Sequence, residues 1–88
     1  MKISNMCSNN GNKVSNQFII DSGNKTIFQS YQTIVAIKEN DKVTLDSNAL
    51  EYSNTTLKYL KHFLNTNESK KSLYAKIESG FYQVEDLN

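Results

Sequence analysis

The chain has no proline, no tryptophan and no arginine, and it has a single cysteine among its 88 residues. With only Cys7 present, an internal disulfide cannot form and no cysteine cluster could bind zinc, so a reducing cell interior suits the chain better than secretion. Arginine makes most bidentate contacts to phosphate and guanine, so its absence argues mildly against sequence-specific reading of nucleic acid. The net charge of +1 likewise argues against a strong polyanion binder.

Long apolar runs and glycine-rich loops are also missing. The start, "MKISNMCSNNGNK", lacks the apolar stretch of a signal peptide. No segment approaches the roughly 18 apolar residues of a membrane span. The three glycines, at positions 11, 23 and 80, are too scattered for a phosphate-binding loop. These absences predict a cytoplasmic protein with no membrane partner.

The side chains that usually carry catalysis are sparse. His62 is the only histidine, and its helical neighbours Lys58 and Tyr59 offer neither a nucleophile with an orienting acid nor a set of zinc ligands. The carboxylates of the middle segment fall at strand ends and in loops, with no sign of the fixed separation that acid–base work needs. The sequence therefore predicts a protein that is not an enzyme, with no catalytic residues, no metal ligands and no cofactor.

The length allows one small domain. Residues 1–16, "MKISNMCSNNGNKVSN", are rich in Asn and Ser with isolated apolar residues, which predicts a flexible N-terminal arm. The ordered part is predicted as a single α+β domain over residues 17–88.

The segment "QFIIDSGNKTIFQS" predicts a β-hairpin. A two-residue type II′ turn at Gly23-Asn24 suits the tolerance of glycine for positive φ. This turn would place Ile20 opposite Ile27 and Ile19 opposite Phe28.

Two further strands are predicted at "TIVAIKEN" and "DKVTLDSN", the first of them central because it is β-branched and apolar on both faces. A two-residue turn at Asn40-Asp41 between them would oppose Val35 to Asp46. A three-residue loop would instead align Val35 with Leu45, and we favour it because it keeps apolar residues on one face.

From Tyr52 the apolar period becomes helical. A first helix presents one apolar face, formed by Leu57, Leu60, Phe63 and Leu64. A second helix is predicted over about 68–79, capped by Ser69 or Asn67, with Leu73, Tyr74 and Ile77 inward and Gly80 after its end. The tail "FYQVEDL" is expected to return as an edge strand. The predicted order is β-β-β-α-α-β, a small antiparallel sheet with both helices packed on one face.

The cluster "YSNTT" at the start of the first helix has two interpretations. Ser53 can act as the N-cap, with Tyr52 and Leu57 forming a hydrophobic staple around it. Alternatively, the hydroxyls and free N–H groups there bind an anion or a partner. The capping interpretation explains nearly every residue of the cluster.

A basic helical surface is the candidate partner-binding site. It would bring together Lys58, Lys61, His62, Lys70 and Lys71. With tyrosines nearby, this surface could contact an acidic partner or nucleic acid, although an ordinary solvated helix face explains the same pattern.

Two segments together resemble a widespread family of small bacteriophage proteins. "SYQTIVA" (30–36) and "YSNTTLKYLKHFL" (52–64) match the family pattern SY-x-T-x-VA followed by YS-x-TT-x-(K/R)-(H/Y)-(L/I)-x-x-(F/W)-L. Tyr59 stands where many members have histidine. The matching positions are Ser30, Tyr31, Thr33, Val35, Ala36, Tyr52, Ser53, Thr55, Thr56, Lys58, Tyr59, Leu60, Phe63 and Leu64.

This resemblance implies a phage or prophage accessory protein acting in the cytoplasm of a bacterial host. Small phage proteins without catalytic residues commonly bind and block host proteins, including CRISPR–Cas effectors. We therefore expect an inhibitor of a host protein or ribonucleoprotein complex. A small nucleic-acid-binding regulator and a virion component are the alternatives, and a homodimer through a sheet edge or an uncovered sheet face also stays open.

Overall fold

The computed structural model describes residues 2–7 and 11–88, which form one six-stranded sheet and two helices. Strands β1 to β5 are antiparallel to their neighbours, and β6 pairs parallel with β5. The strands follow chain order across the sheet, so the α+β class is confirmed. The elements are β1 (Lys2–Cys7), β2 (Lys13–Asp21), β3 (Lys25–Ser30), β4 (Thr33–Glu39), β5 (Lys42–Asp46), α1 (Asn54–Leu64), α2 (Lys70–Glu78) and β6 (Gln83–Glu85).

The predicted order β-β-β-α-α-β is wrong, because five strands precede the helices. Strand β1 and the start of β2 occupy much of the predicted flexible arm, residues 1–16. Met1 and residues 8–10 of that arm lie outside the described residues. Few side chains of β1 are apolar, but pairing with β2 uses backbone groups that every residue type supplies. Met6, only 8% exposed, adds an apolar anchor to the core.

The hairpin between β2 and β3 has the predicted register. Ile19 pairs with Phe28 and Ile20 pairs with Ile27. Gly23 has φ +90° whereas Asn24 has no positive φ, as a type II′ turn requires. The predicted tail strand is also present, as β6.

A β-bulge in β4 changes the register that the sequence suggests. Phe28 pairs with Ala36 and Gln29 with Ile34, which leaves Val35 as an extra residue; Val35 and Ala36 are both fully buried. The alternation of inward and outward side chains along β4 is therefore interrupted at Val35, because a bulge lets two successive side chains face the same side of the sheet.

The predicted three-residue loop after β4 is wrong as a result. Because of the bulge, Ala36 rather than Val35 opposes Leu45. The connection to β5 is therefore the two-residue turn Asn40-Asp41, with φ of 52° and 66°. Positive φ at both positions is typical of a type I′ turn, which asparagine and aspartate tolerate better than most residues.

The core lies between one face of the sheet and the two helices. Leu60 and Phe63 of α1 and Leu73 of α2 are buried with Phe28 and Leu45 of the sheet. The rings of Phe28 and Phe63 are 5.8 Å apart between centroids. Each such side chain contributes about 1.5–3 kcal/mol on burial, so these contacts stabilise the packing of the helices on the sheet.

Serine caps begin both helices. The Ser53 hydroxyl accepts a hydrogen bond from the Thr56 N–H at 3.0 Å. The Ser69 hydroxyl accepts one from the Ser72 N–H at 3.2 Å, which decides between the two predicted caps of α2. Tyr74 does not face inward as predicted: its side chain is 40% exposed.

A buried carboxylate ties the C-terminal residues to the sheet. Asp46, at the end of β5, is 3% exposed. It accepts hydrogen bonds from the Tyr52 hydroxyl, the Asn48 and Leu87 N–H groups, and the Asn88 side-chain amide. Burial alone would raise the pKa of Asp46, but these hydrogen bonds together lower it below its ordinary value. The ionised carboxylate is therefore part of the folded structure.

Asp46→Asn should lower the free energy of unfolding by about 1–3 kcal/mol at neutral pH, because an amide cannot accept all of these hydrogen bonds. Since the pKa of Asp46 is lower folded than unfolded, its stabilisation is complete above about pH 4 and declines as the pH falls further. Urea titrations from pH 2 to 7 measure both effects. The exposed Asp41→Asn is the matched control, with an expected change of a few tenths of a kcal/mol. Glu51 and Glu68, whose pKa values hydrogen bonds also lower, keep part of the acid dependence in both proteins. An acid dependence in Asp46→Asn as large as that of the wild type contradicts this assignment.

Ser53→Ala should cost more stability than Ser69→Ala. Both remove a cap worth about 1 kcal/mol. Ser53 also donates to the Thr56 hydroxyl, which bonds to Ser30 of β3, so its loss disturbs the attachment of α1 to the sheet. Thermal unfolding of the two variants tests this, and equal losses would show that the hydroxyl chain adds nothing.

Candidate binding cleft

A cleft of about 250 Å³ lies where the turn between β3 and β4 meets the start of α1. Every residue that lines it carries a hydroxyl group. The first three come from the end of β3, the turn and the start of β4, and the others from the start of α1 and the residues before it: Ser30, Tyr31, Thr33, Tyr52, Ser53 and Thr56.

A chain of hydroxyls forms one wall of the cleft. The Ser53 hydroxyl lies 3.0 Å from the Thr56 hydroxyl, and Thr56 lies 3.1 Å from the Ser30 hydroxyl. Ser30 and Thr56 are each 4% exposed. This wall is therefore held rigidly by bonds between the two segments that form it.

Tyr31 forms the exposed mouth of the cleft. It occupies the first position of a two-residue turn between Ser30 and Thr33, with φ +55°, and its side chain is 61% exposed. The turn is held by the Tyr31 N–H, which donates to the Asn16 carbonyl at 2.6 Å, and by Gln29, whose amide donates to the Tyr31 carbonyl at 2.7 Å. A left-handed backbone at a bulky residue costs on the order of 1 kcal/mol.

Tyr52 also lines the cleft and is 39% exposed. Its hydroxyl donates to Asp46. Burial, followed by this hydrogen bond, raises the pKa of Tyr52 to about 12. The phenol therefore stays protonated at neutral pH and serves to fix the ring in place.

The cleft presents hydroxyl groups and aromatic rings to a bound molecule. Two aromatic rings and several fixed hydroxyls can hold a side chain or another small polar group of a partner.

The predicted basic surface is only partly assembled. Lys58, Lys61 and His62 line a shallow groove on α1 together with Asn54, Leu57 and Asn67. Lys70 instead pairs with Glu51, with 3.1 Å between Nζ and Oε2. Lys71 is exposed on α2 and is not among the residues that line the groove.

Eight of the fourteen motif positions do not line the cleft, among them Thr55 and Tyr59. Thr55 is exposed on the first turn of α1. Tyr59 is buried, 4% exposed, and its ring meets His62 edge-on at 5.4 Å between centroids. Thr55 and Tyr59 therefore contribute to the helix and not to the cleft surface.

Gln17 is a polar residue of this region that sequence reasoning missed. It is 1% exposed, and its Oε1 has no hydrogen-bond partner within the described residues. Gln17 pairs with Ser30 in the sheet, so it lies beside the wall of the cleft. Its place two residues before the inward Ile19 is the signal that could have identified it.

Over residues 2–7 and 11–88, neither helix is long and apolar enough to cross a membrane. Within the same residues, no three His, Cys, Asp or Glu side chains are grouped so that they could hold a metal ion.

Comparison with known proteins gives one family. Searches of curated proteins and of solved structures found no match. A family model described as a family of unknown function (DUF8033) matches residues 1–79, which include every residue that lines the cleft. The chain belongs to this family of unknown function, DUF8033.

Proposed function

We propose that this chain is a non-enzymatic, phage-encoded protein that binds and inhibits a host protein in the bacterial cytoplasm, with a CRISPR–Cas effector as the leading target. The cleft is the proposed contact surface. The target class derives from the resemblance of the two motif segments to small phage proteins, and the mode of action from the cleft.

The observation that carries this proposal is the meeting of the two motif segments in one cleft. Ser30, Tyr31 and Thr33 are about twenty residues from Tyr52, Ser53 and Thr56 in the chain, yet among the described residues the two groups together line the cleft. A capping motif alone needs only the second group. A cap does not require Ser30, Tyr31 and Thr33, whereas a binding surface formed by both groups does.

Tyr31 has the features of an anchor residue. Exposed tyrosines are enriched at interfaces because they bury a large area while fixing only two side-chain torsions. Tyr31 also adopts a backbone conformation that glycine would adopt at lower cost. A strained, exposed aromatic residue is better explained by binding than by folding.

The alternative of a nucleic-acid-binding regulator rests on Lys58, Lys61 and His62, which share one groove. Glu51 neutralises Lys70, which leaves fewer free charges than the sequence suggested. Nucleic-acid binding through this groove should weaken steeply with salt and be lost in Lys58→Glu/Lys61→Glu. A gel shift at low salt checks this, and no shift there eliminates the alternative.

Tyr31→Ala should strongly reduce capture of the host protein. Tagged full-length chain, purified from phage-infected cells carrying an active CRISPR–Cas system, is expected to retain an effector complex, as identified by mass spectrometry. Loss of an anchor tyrosine should weaken this binding at least about tenfold.

Phe81→Ala is the matched control, since Phe81 is 65% exposed but does not line the cleft; it should retain the complex. Recovery of no defence complex by the wild-type chain contradicts the proposed target. Equal capture by Tyr31→Ala and wild type contradicts the proposed surface.

Tyr31→Gly should raise the free energy of unfolding by up to about 1 kcal/mol while also losing the host complex. The gain arises because glycine adopts the left-handed turn without strain, and the exposed ring contributes little packing. Chemical denaturation measures it, with Asn40→Gly as control, because asparagine already tolerates its φ of 52°. A destabilised Tyr31→Gly would show that the ring is needed for folding.

A further inference from the structure

A stripe of isoleucines crosses the sheet on the face opposite the helices. Successive pairings place Ile3 beside Ile20, Ile20 beside Ile27, and Ile27 beside Ile37. Residues directly opposite on neighbouring strands share a face, so four strands contribute one isoleucine each to a continuous row. Thr44 continues this row on β5. We name these four residues the isoleucine stripe.

The stripe lies outside the core of the domain. None of its members is among the side chains that form the core or pack against it, whereas Ile19 and Ile77 are. Ile3 is 64% exposed, and the other three are partly exposed. Phe18 and Ile34 lie on the same face in the next row, also partly exposed and outside the core. A contiguous apolar patch of this kind marks an interaction surface.

Charged residues border the stripe with balanced signs. Lys25, Glu39 and Lys42 form a neighbouring row across β3, β4 and β5, and Glu85 lines the same shallow depression. Two positive and two negative groups leave this border neutral. Such a border neither repels an identical surface nor selects a strongly charged partner.

We propose that the isoleucine stripe is the interface of a homodimer, in which two copies stack their sheets face to face. Sheets that pack in this way bring their inner side chains together across about 10 Å. The resulting interface would have an apolar centre and a polar rim, as stable interfaces do.

The size of the face fits a dimer. Six strands at about 4.8 Å spacing and about six residues at 3.3 Å each give a plan area of about 570 Å². Because side chains project from the sheet, the accessible area is larger than this plan area. Specific interfaces bury about 600–1,000 Å² on each partner, so a second copy of this chain needs most of the face.

The pairing within the stripe suggests the symmetry. A two-fold axis that runs along the strands between β2 and β3 would place Ile20 of each copy over Ile27 of the other. It would also place Ile3 over Ile37 of the second copy. All four isoleucines are then covered by isoleucines, as a self-complementary interface requires.

Sedimentation equilibrium of the full-length chain tests the proposal. The wild type should have the mass of two chains at micromolar concentration, and Ile27→Lys should weaken the dimer at least about tenfold. Phe81→Lys, which replaces an exposed aromatic residue outside the stripe, should dimerise as the wild type does. A monomeric wild type at about 100 μM, or an unchanged dimer in folded Ile27→Lys, overturns the proposal.

Cross-linking keeps the test decisive even where Ile27→Lys fails to fold. In a Cys7→Ser background, a chain carrying Ile3→Cys is mixed with a chain carrying Ile37→Cys and treated with a bis-maleimide that spans about 10 Å, because stacked sheets are too far apart for a direct disulfide. The mixture should give a cross-linked dimer in higher yield than either chain alone, because like positions lie three strand spacings apart in the proposed dimer. Equal yields in all three samples overturn the proposed pairing. The test involves no host protein, so its result is independent of the proposed inhibitor function.

Discussion

One extra residue in β4 determines which side chains face each side of the sheet. The bulge at Val35 lets both Val35 and Ala36 enter the core. It also reverses the alternation that follows, so that Ile37 joins Ile27 on the face away from the helices. Without the bulge, Ile37 would lie on the other face and the isoleucine stripe would be interrupted in the middle of the sheet.

The same bulge explains which parts of the fold the sequence predicts. The hairpin of β2 and β3 is specified locally, by Gly23 and by matched apolar pairs, and its register is as predicted. The register after β4 depends on the bulge, and the burial of both Val35 and Ala36 that accompanies it is tertiary information. Reasoning from alternation therefore chose the wrong turn at Asn40-Asp41, although both residues are suited to a type I′ turn.

The sequence predicts individual features of the candidate site, but it does not predict that these features meet in one cleft. Ser53 and Ser69 act as caps for local reasons, so their spacing alone identifies them. No local pattern indicates that Ser30 meets Thr56, because that contact depends on α1 crossing β3. The charged surface was overestimated for a related reason: Glu51 precedes Lys70 by nineteen residues in the chain, and only the fold brings the two together.

Capping and binding are therefore not competing explanations of "YSNTT". The Ser53 hydroxyl satisfies a backbone N–H of α1 and is also part of the cleft wall, so a single set of bonds gives both helix stability and a rigid surface. Such rigidity would favour the proposed binding, since a preformed surface loses less conformational entropy when it binds.

The two proposed surfaces lie on opposite sides of the sheet and can act together. Ser30 and Thr56 belong to the helix side, whereas the isoleucine stripe faces away from it. A dimer formed through the stripe would thus leave both clefts open and pointing outward.

Two identical clefts on one dimer favour a target that is itself repeated, because the second contact forms at a high effective concentration. An effector complex with several copies of one subunit would gain from such avidity, and a single-copy target would not. The stoichiometry of binding would therefore link the dimer to the choice of target.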